Sequence, residues 1–516
     1  MVDAGKLGLA EIDITLWLHP RKGGALSPER AIALGRTLPG NRQYLSRAEL
    51  EAQHGPDPAE AKLIGELLAA SYGLRTVWRR WRALRVRGTL ASALQFIAEI
   101  YNAKAVRPEE TGALGIVRDD ASDEASLIAK AVVAVFGPAE PADPAHERSV
   151  KQPSAAADNA ATASAATAPI SPQALARHYN LPPGLDGSGQ TLGIIEFGGT
   201  FDRKDFEASM AAAGVTPGDV TIEEIDPIDP AEFNDEVTID TQVAGAFAPG
   251  AKIKLYFAEN TKRGWLEALV SAVADGDAAP SIVSMSYGQP ESFFSVAEIA
   301  CFEEIFVAAA LLGTTVIVSS GDSGPGYGAK DGTLAVSYPA SSRFVLACGG
   351  TELLGNDGRI TGERVWNAGS DKATGGGFSV RSELAAWQRG PLHAALGRYR
   401  KLYGTAQGRG TPDLVAMAAP GHPIVRGGVK APGGGTSAVA PFIAALVARI
   451  NQRLDGTPAG FFTPLLYEHG EAGQAFREIR RGDLPPFRPS GGWDPSVGLG
   501  APKGSELLLL LTRGAS

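Results

Sequence analysis

From Thr191 to Ser319, short apolar runs alternate with stretches of helical length, and few folds accommodate that order. Residues 191–195, 252–256, 281–285 and 315–319 read as buried strands, and 236–248, 265–274 and 296–312 have helical spacing between them. Such alternation predicts an α/β fold, a parallel sheet with helices on both faces. Ligands on these sheets sit at the carboxyl ends of the strands. Chemistry is therefore to be sought just after each apolar run.

A chain of 516 residues exceeds what one core usually organises, which points to two domains and a linker. Composition marks the break. From 151 to 168, nine of eighteen residues are alanine and none is aromatic or branched aliphatic. Such a stretch cannot bury enough surface to order itself and reads as an exposed linker, where proteolytic nicking concentrates; an alanine-rich helix is the alternative. Ahead of it, 11–18 and 84–88 read as strands and 90–101 as an apolar-faced helix. Ser46 with Glu49, and Asp57 with Pro58, look like helix starts.

Six arginines, Arg75, Arg79, Arg80, Arg82, Arg85 and Arg87, crowd this first region. A solvated basic face is the favoured reading, and docking on an acidic partner is the alternative. Residues 1–150 hold 19 basic and 19 acidic side chains, so the net charge of −9 belongs to the remainder. That acidic balance argues against nucleic acid as the main ligand. No run approaches the roughly 20 apolar residues that cross a bilayer. Cys301 and Cys348 are too few for a disulfide framework and read as two buried thiols.

Three segments carry the chemistry. In Gly433-Gly-Gly-Thr-Ser437 a glycine-rich turn leads into an apolar helix, placing Ser437 where backbone N–H groups and the helix dipole favour developing negative charge. A helix cap before a buried helix is the plain alternative. A serine nucleophile needs a base, usually histidine, yet none of the seven histidines lies in a glycine-rich His-Gly-Thr-His helix start. The second segment, beginning Asp235-Glu236, offers another base. Glu236 and Asp240 are four apart and share a helical face, so their repulsion raises the pKa of at least one and lets them share a proton. An acidic solvent face is the default for such a pair, but Val237, Ile239, Val243 and Phe247 argue for burial. Third, Ser-Gly-Asp322-Ser-Gly follows an apolar run. Protonated, Asp322 can donate to an oxyanion; taken alone it is an ordinary turn aspartate.

In that order, the three motifs resemble the sedolisin family of serine-carboxyl peptidases, particularly its kumamolisin-like branch. The resemblance runs from Ser171 to about Pro502, and more weakly over the region before the linker. It implies a subtilisin-like catalytic domain at 171–516, an activation prodomain at 1–150 and a processing linker at 151–170. By the same resemblance Ser437 is the nucleophile, Glu236 the general base and acid, Asp240 its orienting partner, and Asp322 the oxyanion donor. Glu196 matches a carboxylate that extends the network. Ser286, Tyr287 and Gly288 match the substrate-pairing strand, although Tyr287 stands where kumamolisin-like members usually carry tryptophan. The family's calcium site corresponds to Glu478, Ile479, Ser490, Gly492 and Asp494, with Glu478 replacing an aspartate and Ser490 a glycine; one calcium ion is implied. The expectation is an acid-active endopeptidase made as a zymogen, acting on proteins or peptides, with its own prodomain as intramolecular inhibitor. The chain is expected to be monomeric and extracellular, with no nucleic-acid or membrane partner, although its N-terminus shows no recognisable signal peptide. A tripeptide-releasing exopeptidase and a non-catalytic peptide-binding scaffold are the alternatives.

Overall fold

The computed structural model describes residues 9–104, 123–137 and 170–513, apart from short loop segments at 230–233, 275, 277–278, 328–332, 357–358, 370–371, 405–406 and 470–473. The predicted linker at 151–168 lies outside the described residues.

The N-terminal unit is a four-stranded sheet with helices Pro58–Tyr72, Leu90–Lys104 and Asp123–Ala131 on one face, while helices Pro28–Arg36 and Arg47–His54 lie against the C-terminal unit. Its strands are β1 (Glu11–Leu18), β2 (Arg75–Arg80), β3 (Ala83–Thr89) and β4 (Val132–Phe136), in the order β2-β3-β1-β4. Its helices are α1 (Pro28–Arg36), α2 (Arg47–His54), α3 (Pro58–Tyr72), α4 (Leu90–Lys104) and α5 (Asp123–Ala131). Local chemistry fixes their starts: Ser46 and Glu49 form a reciprocal capping box on α2, and Asp57 caps α3 with Pro58 in its first turn. Side chains alternate along each strand. Ile14, Leu16 and Leu18 of β1, with Leu84 and Val86 of β3, pack on Ile64, Leu68 and Phe96 of the helices. Trp17 and Ala83 point the other way and join the core of the C-terminal unit.

That second face corrects the solvated reading of the arginine cluster. Arg80 pairs with Glu223 at 2.8 Å, Arg82 with Glu304 at 2.7 Å, and Arg85 with Asp226 at 2.6 Å and Glu267 at 3.2 Å, all across the boundary between the units. Arg82 and Arg85 are buried. Arg75, Arg79 and Arg87 pair with Glu11, Glu51 and Asp13 inside the N-terminal unit. A second attachment lies along 37–47. The Tyr44 side chain fills a notch where a Cβ on Gly313 would fall 2.7 Å from its ring and one on Gly460 2.3 Å from its hydroxyl oxygen, and that hydroxyl donates to the carbonyl of Pro458 at 3.0 Å. Leu45 N–H donates to the Leu311 carbonyl at 2.9 Å, and Arg47 to that of Val273 at 2.9 Å.

The C-terminal unit contains the expected sheet. Its strands are β5 (Thr191–Phe197), β6 (Val220–Glu224), β7 (Lys252–Ala258), β8 (Ile282–Met285), β9 (Thr315–Ser319), β10 (Leu346–Asn356), β11 (Arg359–Val365) and β12 (Leu414–Ala419). They lie in the order β11-β10-β9-β8-β5-β7-β6, with β12 also on β10, and all pairs are parallel except β10 with β11. The helices are α6 (Asp235–Phe247), α7 (Lys262–Ala274), α8 (Val296–Leu312) and α9 (Val439–Leu454). Helices α7 and α8 pack together on the face that meets the N-terminal unit, while α6 and α9 pack on the other. Both cysteines are buried free thiols. Among the described residues no helix is long and apolar enough to cross a membrane.

Candidate active site

The predicted residues converge where the strands end. Glu236 lies in the first turn of α6 and Asp240 in its second; Ser286, Tyr287 and Gly288 follow β8; Asp322 follows β9; Ser437 sits in the 3-10 turn 436–438 that leads into α9. Glu236, Ser286, Tyr287, Gly288, Asp322 and Ser437 line one cleft of about 220 Å³. Glu196 on β5 and Asp240 lie fully buried beside it. Among the described residues no histidine lines the cleft. His422, the nearest in sequence to Ser437, is packed against Phe247 and Phe442, and burial pushes its pKa down to about 3.

Hydrogen bonds join these groups. Ser286 Oγ lies 2.7 Å from Asp240 Oδ2 and 3.1 Å from the carbonyl oxygen of Ser437. The Tyr287 hydroxyl donates to Glu196 Oε2 at 3.2 Å and accepts from Asn234 Nδ2 at 3.1 Å. Asn234 also caps α6, its Oδ1 accepting the Glu236 N–H at 2.9 Å. The sequence reading missed Asn234. Asparagine directly before an acidic first turn is a preferred cap, and that signal could have placed the helix start at Asp235, one residue ahead of the expected Glu236. Tyr287, the departure from the family's usual tryptophan, thus ties Glu196 to the residue that starts the Glu236 helix.

Asp322 Oδ1 accepts two hydrogen bonds from Thr436, from its N–H at 2.8 Å and its hydroxyl at 2.6 Å, leaving Oδ2 free of both. Gly435 (φ +84°) makes this approach possible, because a Cβ there would fall 2.3 Å from Asp322 Oδ2.

Electrostatics push the acids towards their neutral forms. Burial raises Glu236 to about 8, reinforced by Asp322 and Asp235 and opposed by hydrogen bonding with Ser437 and Ser286. Burial first, then the charges of its carboxylate neighbours, lifts Glu196 and Asp240 well above the usual carboxylate range. Asp322 is raised by burial against the pull of Thr436. Glu196 Oε1, Glu236 Oε1 and Asp240 Oδ1 are buried with no hydrogen-bond donor. A carboxyl proton on one acid facing another's oxygen satisfies both, as in carboxylate pairs that titrate together.

Residues 208–465 match the subtilase family profile. Kumamolisin of Bacillus sp. (strain MN-32) is 37% identical over 545 aligned positions, covering 100% of this chain and 94% of that protein. The chain belongs to the sedolisin family, in its kumamolisin-like branch. Sedolisin of Pseudomonas sp. (strain 101) is 31% identical over 55% of the chain and 51% of its own length. Tripeptidyl-peptidase 1 of Dictyostelium discoideum is 32% identical over 53% of the chain and 46% of its own length. The solved structure of the Pseudomonas serine-carboxyl proteinase, complexed with pseudo-iodotyrostatin, superposes with a TM-score of 0.58 at 26% identity, covering 67% of this chain and 99% of that one. This sedolisin is accordingly a serine peptidase with the subtilisin-like sedolisin fold.

The expected calcium ligands lie apart from the cleft. Asp494 is buried, and its carboxylate accepts the N–H groups of Ser490 and Ser496, each at 2.8 Å. Glu478 Oε1 lies 3.5 Å from the Gly492 N–H, so its carboxylate reaches the 490–494 turn. Its other oxygen, however, is held by Arg480, from Nε at 2.6 Å and Nη2 at 2.5 Å. The carboxylate expected to face a metal is already paired.

Proposed function

We propose that this sedolisin is an acid-active endopeptidase made as a zymogen, with Ser437 as nucleophile and Glu236 as general base and acid. The observation that carries the reading is that Ser437 shares its cleft with Glu236 and Asp322 and, among the described residues, with no histidine. Ser437 Oγ attacks the scissile carbonyl carbon as its proton passes to Glu236. Asp322, protonated on Oδ2, donates to the oxyanion. Collapse of the tetrahedral intermediate expels the amine, which takes the proton from Glu236. Water then attacks the acyl-enzyme, with Glu236 again accepting and returning a proton.

Glu196 and Asp240 must keep protons while Glu236 takes one, and their raised pKa values support that division. Ser286 supports it too. One hydroxyl proton cannot serve both of its acceptors, but a protonated Asp240 can donate to Ser286, which then donates to the Ser437 carbonyl. The reactive state thus holds one negative charge among the three acids, and the raised Glu236 pKa makes it the minor but more basic form in acid. As pH rises the set ionises further and Asp322 loses its donor, so activity fades on the alkaline side.

The match to kumamolisin spans the whole chain, whereas that to tripeptidyl-peptidase 1 covers about half, which supports an endopeptidase rather than a tripeptide-releasing enzyme. We assign residues 1–150 as the inhibitory prodomain, 151–170 as the processing linker and 171–516 as the peptidase, exported and acting on proteins or peptides as a monomer. The full-length chain should be shifted to about pH 4, where model carboxyls titrate, and any new N-terminus sequenced. Cleavage within 151–170 in the wild type, and an intact precursor in both Ser437→Ala and Glu236→Ala, is the expected result. Wild-type processing by either variant would remove that residue's role.

A further inference from the structure

We propose that Arg480 supplies, from within this chain, the positive charge that the family resemblance assigns to calcium, so that the 478–494 region holds its shape without a metal. The two carboxylates expected to bind the ion are both engaged. Glu478 Oε2 accepts two nitrogens of Arg480, at 2.6 and 2.5 Å, and Asp494 spends one hydrogen bond per oxygen on backbone N–H groups of its own turn. The ion pair lies over that turn: a Cβ at Gly491 would fall 3.7 Å from Arg480 Nη2 and 3.9 Å from Glu478 Oε1.

Sequence and structure agree on the charge. Arg477, Arg480 and Arg481 fall within five residues of one another around Glu478, and Arg477 is itself bound to Glu363. Calcium binds oxygen at about 2.4 Å and wants six to eight such ligands. An ion bound to Glu478 would share that carboxylate with a guanidinium, and two cations on one carboxylate repel. The longer arm of glutamate in place of aspartate fits this arrangement, because it carries the carboxylate out to Arg480. The Arg480 side chain is 68% exposed. Its contribution is therefore to neutralise Glu478 rather than to cement the fold.

The assignment is independent of the catalytic roles and is tested on the full-length chain in a Ser437→Ala background, which keeps it in one piece. Calcium content after dialysis is measured by elemental analysis, calcium binding by titration calorimetry, and thermal unfolding with excess chelator or with calcium. The expected results are far less than one calcium per chain, no binding in the range up to ~1 mM that weak extracellular calcium modules occupy, and equal melting temperatures in both buffers. Glu478→Asp/Arg480→Thr should gain one calcium per chain and a calcium-dependent melting temperature. One tightly held calcium in the parent, with melting lowered by chelator, would overturn the proposal, and so would a double variant that folds and still ignores calcium. Should the double variant fail to fold, the parent's calcium content and chelator response decide alone.

Discussion

Removing the Arg85 guanidinium should loosen the N-terminal unit far more than removing any other arginine confined to that unit. Arg85 is 5% exposed and serves acids on both sides of the boundary: Asp13 within its own unit, and Asp226 at 2.6 Å and Glu267 at 3.2 Å across it. It also donates to the Ile225 carbonyl at 2.9 Å. Breaking a buried pair typically costs about 3–5 kcal/mol, because a charge is left without its partner. Here the loss is cushioned. Asp226 and Glu267 keep Arg263 at 3.2 and 2.8 Å, and Asp13 keeps Arg87 at 2.6 Å. The lower end, about 3 kcal/mol, therefore applies to Arg85→Met, a factor of roughly 10² in docking. Trp17 reports undocking directly, because its indole N–H donates to Glu304 across the boundary at 2.7 Å. Urea titration of the Ser437→Ala chain, followed by tryptophan emission, should show the undocking midpoint falling by roughly 1–3 M for slopes of about 1–3 kcal/mol per M. Arg79→Met is the control, since Arg79 pairs with Glu51 inside the same unit with side chains 32% and 38% exposed, a pair worth about 0–1 kcal/mol. Equal shifts for the two variants would refute the docking role.

Docking should survive mild acid and fail only near or below about pH 4. Burial lifts Glu267 to about 7 against Arg263 and Arg85, so its share of docking is fully present below its unfolded pKa and is lost as pH rises through 7. Asp13 works the other way and within the N-terminal unit: its burial is outweighed by hydrogen bonds from Arg87 and Arg85, which hold it below its usual range, so its share of that unit's own stability, and with it the docking surface, is lost as pH falls through that value. An undocking midpoint near pH 6, by the same emission signal, would contradict this balance. Asp322→Ala should lower kcat by ~10²–10³, the usual cost of one oxyanion donor, with KM little changed in a peptide-hydrolysis assay. Tyr287→Phe keeps the ring against Phe197, at 4.8 Å between centroids, but removes the donor that pulls the Glu196 pKa down. Its kcat should fall about 2–10-fold, the worth of one hydrogen bond, and the alkaline limb of its pH–rate profile should move to higher pH; an unmoved limb would detach Tyr287 from the acid network.

The catalytic sheet was legible because burial on both faces leaves unbroken apolar runs, and 315–319 and 296–312 match β9 and α8 residue for residue. The cleft was legible because each of its segments carries a local signature of glycine or paired carboxylates. What escaped was the use of the arginines. Along β1 and β3 every second residue (Asp13, Thr15, Trp17; Arg85, Arg87) leaves the unit's own helices, so the alternation was present, but it does not state whether water or protein covers that face. Asn234 escaped for another reason: its second contact, with Tyr287, spans fifty-three positions, and no local pattern encodes it. The Glu478–Arg480 pair is only two residues apart, yet there the resemblance to a metal-binding segment drew attention to the glutamate and away from its neighbour.

The Tyr44 notch gives the N-terminal unit two grips on its partner, the arginine-studded sheet face and a tyrosine hooked over Gly313 and Gly460. Two tethered contacts behave as a bivalent ligand: when one lets go, the other holds it nearby at high effective concentration, and rebinding outpaces escape. Cutting the chain at 151–170 would therefore not by itself release the N-terminal unit. The severed unit should linger on the surface until both grips open together. Dwell time on the surface, more than the speed of the cut, then sets when the two parts separate.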